Sequence, residues 1–178
     1  MAALWLVFTQ LHGPTSYNEG HRLWGRDMHF WGMLLGVIPN SLIAAGLISL
    51  RRGLATPSKL AAIGHGMVCG ALIVAAVLDL AVQAINAPFL LPVQAIGVLM
   101  LAAGLTCRPA NRPLSITFTV LGGLLGMGMI VAVFPQDFSD SVGGYRIFGI
   151  LTYFLPGLVW SLVGFLLSCQ GLTPHKSD

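Results

Sequence analysis

The stretch Leu60–Ile85, LAAIGHGMVCGALIVAAVLDLAVQAI, decides the fold. It is apolar over more than the roughly 20 helical residues needed to cross a ~30 Å hydrocarbon core. Its one acidic residue, Asp79, is also the only Asp, Glu, Lys or Arg inside any long apolar run of the chain. A carboxylate near mid-bilayer costs about 2.5–3.5 kcal/mol on insertion scales, so such a residue usually lines a polar cavity, pairs with a neighbour or stays protonated. Leu60–Ile85 therefore says both what the chain is, a membrane protein, and where to look for its working site.

Working outward, four further runs have similar character: Met28–Leu50, Phe89–Thr106, Leu114–Phe134 and Ile147–Ser168. The third span, Phe89–Thr106, is the weakest, being short with Pro92 and Gln94 near its start. Backbone groups in lipid must be bonded within the segment, and the runs lack the alternating polar positions of a barrel strand, so helices are expected. The prediction is an all-α polytopic membrane protein, a bundle of five transmembrane helices forming one domain over residues 1–178. Composition agrees: 56% of the 178 residues are hydrophobic and 8% charged, too few charges to cover a soluble domain of this size.

The charges orient the bundle. Arg51, Arg52 and Lys59 lie between the first two spans, and Arg108 and Arg112 between the third and fourth, so both basic loops share a side in a five-span chain. The positive-inside rule then predicts an inner-membrane protein with its N-terminus outside and its C-terminus in the cytoplasm. These arginines account for the basic balance, and nucleic-acid binding is not expected. The N-terminal MAALWLVFTQLH is too short to span and reads as an interfacial segment. Trp24 and Trp31 bracket the start of the first span as interfacial anchors do. The three cysteines have no metal-ligand spacing and read as thiols.

In this orientation the intramembrane polar residues gather in the outer half. Gln83 and Asn86 continue the helix face of Asp79 at i+4 and i+7, His29 opens the first span, and Asn40 stands near mid-membrane beside Pro39. Gln94 opens the third span, while Thr152 and Tyr153 precede Pro156, which is placed to kink the fifth. Buried amides commonly act as interhelical glue at about 0.6 kcal/mol each. A carboxylate is poor glue, so Asp79, with Gln83, is expected to line a closed polar pocket. The candidate catalytic residues are Asp79, His29, Asn40 and Tyr153, with Gln83 and Asn86 as substrate-binding residues.

His65 is the second unusual residue, set near the opposite end of the second span between Gly64 and Gly66, with Gly70 beyond. Those glycines either leave a flat surface where a haem b could approach an imidazole ligand, or form a small-xxx-small packing seam from Gly66 to Gly70. The Gly122, Gly123, Gly126, Gly128 run of the fourth span offers a matching seam.

Three segments, HRLWGRDMHFWGMLLG (21–36), GHGMVCGALIVAA (64–76) and IFGILTYFLPGLVW (147–160), resemble the first, second and last spans of the styrene oxide isomerase and hydroxylaminobenzene mutase group of small membrane enzymes. The resemblance covers about a third of the chain. It implies a homo-oligomer with haem at subunit interfaces, His65 as the ligand, and rearrangement of a small aromatic epoxide or arylhydroxylamine. The chain departs from that pattern in three places. Cys69 stands where the family has asparagine, the family histidine aligns with Ile63, and five spans replace four.

The function expected is isomerisation of a hydrophobic small molecule such as an epoxide, which needs acid or haem Lewis-acid activation in a dry pocket. Three alternatives stay open on sequence: a proton-coupled small-molecule transporter using Asp79, a membrane terpene-type cyclase, and a non-catalytic subunit of a membrane complex.

Overall fold

The computed structural model describes residues 22–53, 58–82, 88–106, 111–133 and 142–171. A short hairpin opens it, β1 (Arg22–Leu23) and β2 (Arg26–Asp27), paired antiparallel. Trp24 and Gly25 make the turn at φ 50° and 74°, the positive values that a tight two-residue hairpin demands. Asp27 then caps the first long helix, its Oδ1 accepting from the Phe30 N–H at 2.8 Å. Trp24 and Trp31 meet edge to face with centroids 5.4 Å apart, which ties the hairpin to that helix.

The remainder is helical: α1 (Met28–Gly53), α2 (Lys59–Val82), a 3₁₀ turn (Pro88–Leu90), α3 (Leu91–Leu105), α4 (Arg112–Val133), α5 (Val142–Gly149), a π turn (Ile150–Phe154) and α6 (Leu155–Gly171). Four segments are long and apolar enough to cross a membrane: Met33–Leu50, Lys59–Ala81, Arg112–Val133 and Arg146–Cys169. The chain is thus an all-α polytopic membrane protein. α3 has 15 residues, about 22 Å at ~1.5 Å per residue. The 3₁₀ turn before it adds about 6 Å at ~2.0 Å per residue and brings the pair close to the ~30 Å core thickness. Helix ends differ by a few residues from the sequence expectation: α1 runs on to Gly53, α4 begins at Arg112, where Pro113 suits the first helical turn, and a helix from Val142 leads into the last span.

Successive helices run antiparallel and pack in chain order, α1 on α2, α2 on α3, α3 on α4, and α4 on the α5–α6 span. Side chains fix the register. Ser58 donates to the Gly104 carbonyl at 3.1 Å, and Ser115 donates to the Ala102 carbonyl at 2.9 Å. Phe118 meets Trp160 edge to face at 6.0 Å. This arrangement collects Lys59, Arg112 and the ends of α1, α3 and α6 at one end of the bundle, called here the basic end.

The middle of the row is its tightest part. A Cβ on Gly64 would lie 2.5 Å from the Gly97 carbonyl oxygen and 2.5 Å from the Leu101 nitrogen, and one on Gly104 would lie 2.5 Å from the Ala61 nitrogen. Glycine is what lets the α2 and α3 backbones approach so closely, and without a hydrophobic drive between helices in lipid such close packing holds them together. The packing seam expected at Gly66–Gly70 lies elsewhere. Both glycines face open space, and Gly64, two residues away, makes the contact. In the fourth span Gly122 and Gly128 are packed, while Gly123 and Gly126 meet nothing within 4 Å. The core is filled by Val68, Val98, Leu101, Leu114, Phe118 and Leu121, each essentially inaccessible.

α1 and α6 are the two ends of the row. They barely touch each other.

Candidate functional site

The gap between α1 and α6 is a cavity of about 640 Å³, within the ~300–1,000 Å³ that encloses a drug-sized ligand. Leu72 and Ala75 of α2, Leu91 and Gln94 of α3, and Leu125 of α4 form its floor. Its walls run from Leu35 to Leu47 on α1 and from Thr152 to Leu167 across the π turn and α6. The rim consists of exposed residues, Leu42 and Gly46 on one side and Leu158, Ser161 and Gly164 on the other, so the mouth opens sideways.

Two prolines shape the walls. Pro39 lies inside α1 and removes the N–H that the Leu35 carbonyl would otherwise receive, and both residues line the cavity. Pro156 in a regular helix would collide with the Thr152 carbonyl. The ladder widens instead into the π turn Ile150–Phe154, closed by the Leu155 N–H to the Ile150 carbonyl. The kink expected at Pro156 is therefore a π turn. It leaves Thr152 buried, with its hydroxyl donating to the Phe148 carbonyl at 2.7 Å, and puts Tyr153 in the cavity wall. Gly128 of α4 accommodates the Thr152 methyl, since a Cβ there would collide with it.

Of the expected catalytic residues, Asn40 and Tyr153 both line this cavity. Asp79 is completely buried and is not one of its lining residues. The carboxyl packs onto Gly36 of α1, where a Cβ would lie 2.7 Å from Asp79 Cγ. Asp79 thus occupies an α1–α2 contact. Gln83 and Asn86 lie outside the described residues, as does the side chain of His29, whose backbone opens α1.

His65 is buried, with Nε2 2.7 Å from the Leu47 carbonyl oxygen and 3.6 Å from Cys69 Sγ. The open glycine face of Gly66 and Gly70 is a different face of α2 from the one that carries the imidazole. The ring is enclosed here and Nε2 is engaged across the α1–α2 contact, so only Nδ1 would be left to meet a haem iron, and that contact would have to open first. Along α2 it stands about 21 Å from Asp79 at ~1.5 Å per residue, so the two residues cannot share a site. No group of three or more His, Cys, Asp or Glu among the described residues could hold a metal ion.

Sequence reasoning named Asn40, Gln94, Thr152 and Tyr153 but missed Trp160, Ser161, Gly46 and Gly164. The available signal was the pair of intrahelical prolines. Each marks the wall segment on its side of the cavity.

Compared with known proteins, the chain matches no family model, no curated protein and no solved structure.

Proposed function

We propose that this protein is an intramembrane enzyme that isomerises a hydrophobic, oxygen-bearing molecule such as an epoxide, drawn sideways from the bilayer into the α1–α6 cavity. The observation that carries the reading is the cavity itself: apolar over most of its wall, with Asn40, Gln94 and Tyr153 among its lining residues. An isomerisation keeps every atom, so it needs no co-substrate. Tyr153 O–H and Asn40 N–H exchange their partners within the protein for the substrate oxygen as its C–O bond opens. Positive charge develops on the released carbon inside a largely apolar wall that keeps water from trapping it. A hydride then migrates with its electron pair from the neighbouring carbon, and a carbonyl forms. Asp79 is assigned no proton transfer in this scheme, because it packs on Gly36.

The protein sits in an inner membrane with its N-terminus outside, as the basic loops argue. Reporter fusions at Asn86 and Arg108 should then read periplasmic and cytoplasmic respectively. For the chemistry, purified protein is incubated with aryl and alkyl epoxides and the isomeric carbonyl product is followed by gas chromatography. Tyr153→Phe should lower kcat at least about tenfold. If no epoxide is converted while proteoliposomes accumulate such molecules against a gradient, transport replaces catalysis.

A further inference from the structure

The shape and charge of the cavity narrow its occupant beyond "small and hydrophobic". The lining covers Leu35–Leu47 on α1 and Thr152–Leu167 on the last span. Each stretch is about 18–22 Å long at ~1.5 Å per residue. The space is thus elongated along the helices, most of the way through one hydrocarbon core.

Its two ends differ. Toward the end away from the basic loops stand Asn40, Gln94 and Tyr153. Toward the basic end the wall is Leu47, Trp160, Val163, Gly164 and Leu167. Ser161, between the ends, donates to its own helix at the Gly157 carbonyl, 2.9 Å away. Among the described residues no charged side chain lines the cavity. Gln94 is half-buried and its carboxamide makes no hydrogen bond among the described residues, so its two N–H donors and its carbonyl acceptor can face a ligand.

We infer that the cavity takes a long-chain amphiphile with an uncharged, hydrogen-bonding head, its head at Gln94 and its tail running past Trp160 toward Leu167. This rests on the cavity being the functional site, and makes the substrate a long-chain epoxide, alcohol or ketone. An anionic or cationic head of the same length would be buried against neutral walls without a counter-charge, and so is disfavoured. The neutral Gln94 carboxamide can donate to a hydroxyl, carbonyl or epoxide oxygen and can also accept from a hydroxyl.

Trp160 supplies the readout. The protein is reconstituted in phosphatidylcholine nanodiscs and titrated with hexadecanol carrying bromine near either the head or the tail, with Trp160→Phe as the blank. The tail-brominated alcohol should quench the Trp160 component, and the head-brominated one should leave it nearly unchanged. Palmitate and hexadecylammonium should displace the alcohol at least about tenfold less well. Gly46→Leu and Gly164→Leu add side chains at the rim, where a Cβ meets nothing within 4 Å. Both should abolish quenching while the protein stays monodisperse and helical.

Other results overturn the inference in distinguishable ways. Equal quenching by brominated phosphatidylcholine makes the groove a site for bulk lipid. Displacement by styrene oxide but not by hexadecanol leaves the functional proposal standing and removes the long chain. No quenching by any probe, with plugged and unplugged proteins alike and a doubled particle mass, means a second copy fills the gap, and both readings fall.

Discussion

Glycine does opposite work on the two sides of this bundle. At the α2–α3 contact, Gly64, Gly97 and Gly104 are present because nothing larger fits between the backbones. On the α1–α6 side, Gly46 and Gly164 border empty space, and nothing steric calls for glycine there. The first group closes helices together, and the second leaves a mouth open. The difference teaches that one half of the molecule is a tightly packed scaffold and the other holds the candidate site. Small residues alone do not tell which is which.

The sharpest way to break that comparison changes the same residue type two positions apart. Gly64→Ala would set a methyl 2.5 Å from two backbone atoms that cannot rotate aside, so α2 and α3 must part. Overpacking of this kind costs about 1–3 kcal/mol, and rigid backbone neighbours put it at the upper end. Gly66→Ala meets open space and should stay within about 0.5 kcal/mol. Thermal unfolding in detergent, followed by loss of monodispersity, compares the two directly. Equal melting temperatures would remove the scaffold half of the argument.

A second, smaller effect is expected where α1 meets α2. Gly36→Ala would drive its methyl into the Asp79 carboxyl and cost about 2 kcal/mol. In an Asp79→Ala background that collision is gone, so the two substitutions should couple by about 1–2 kcal/mol in a double-mutant cycle. Additive costs would mean that the carboxyl does not depend on Gly36 for its space.

These cases also show what could be read from the chain. The five apolar runs and the loop arginines specify helix number and antiparallel order, because span length and charge are properties of single segments. The Asp79–Gly36 contact depends on the register of two helices, which no single segment carries. The same limit misplaces the α2 seam. Gly64, Gly66 and Gly70 all satisfy a small-residue pattern, but only the rotation of α2 against α3 chooses Gly64. Asn40 and Tyr153 were legible as candidate residues because each is a polar side chain inside an apolar span. Trp160 and Gly164 were not, since an apolar helix gives no sign of which face lacks a neighbour.

A third test acts on the site half, through the π turn. Pro156→Ala restores the missing N–H and removes the ring's clash, so Ile150–Phe154 can relax to α geometry. Losing the widened turn rotates residues before it by up to ~100°, the angle of one helical residue, and carries Tyr153 out of the wall. Stability should hold or rise by about 1 kcal/mol, while conversion of epoxide falls to the level of Tyr153→Phe. Retained activity would show that Tyr153 is not placed by the turn.

The smallest expected effect is at His65. Its Nε2 lies 2.7 Å from the Leu47 carbonyl oxygen and links α1 to α2 near the basic end, well away from the cavity's amides. Interhelical hydrogen bonds in membranes average about 0.6 kcal/mol, because the separated helices also find partners. His65→Asn should therefore lower stability by no more than about 1 kcal/mol and leave ligand binding at Gln94 unchanged. His65→Ala should cost slightly more through lost volume in the α1–α2 contact. The same variant decides the haem question, because a buried imidazole that bonds Leu47 through Nε2 could meet iron only through Nδ1, after the α1–α2 contact opens. A Soret band in the purified protein that disappears in His65→Ala would mean that α1 swings away from α2 to admit a macrocycle. The packing role given to His65, and with it the separation of scaffold from site, would then have to be abandoned.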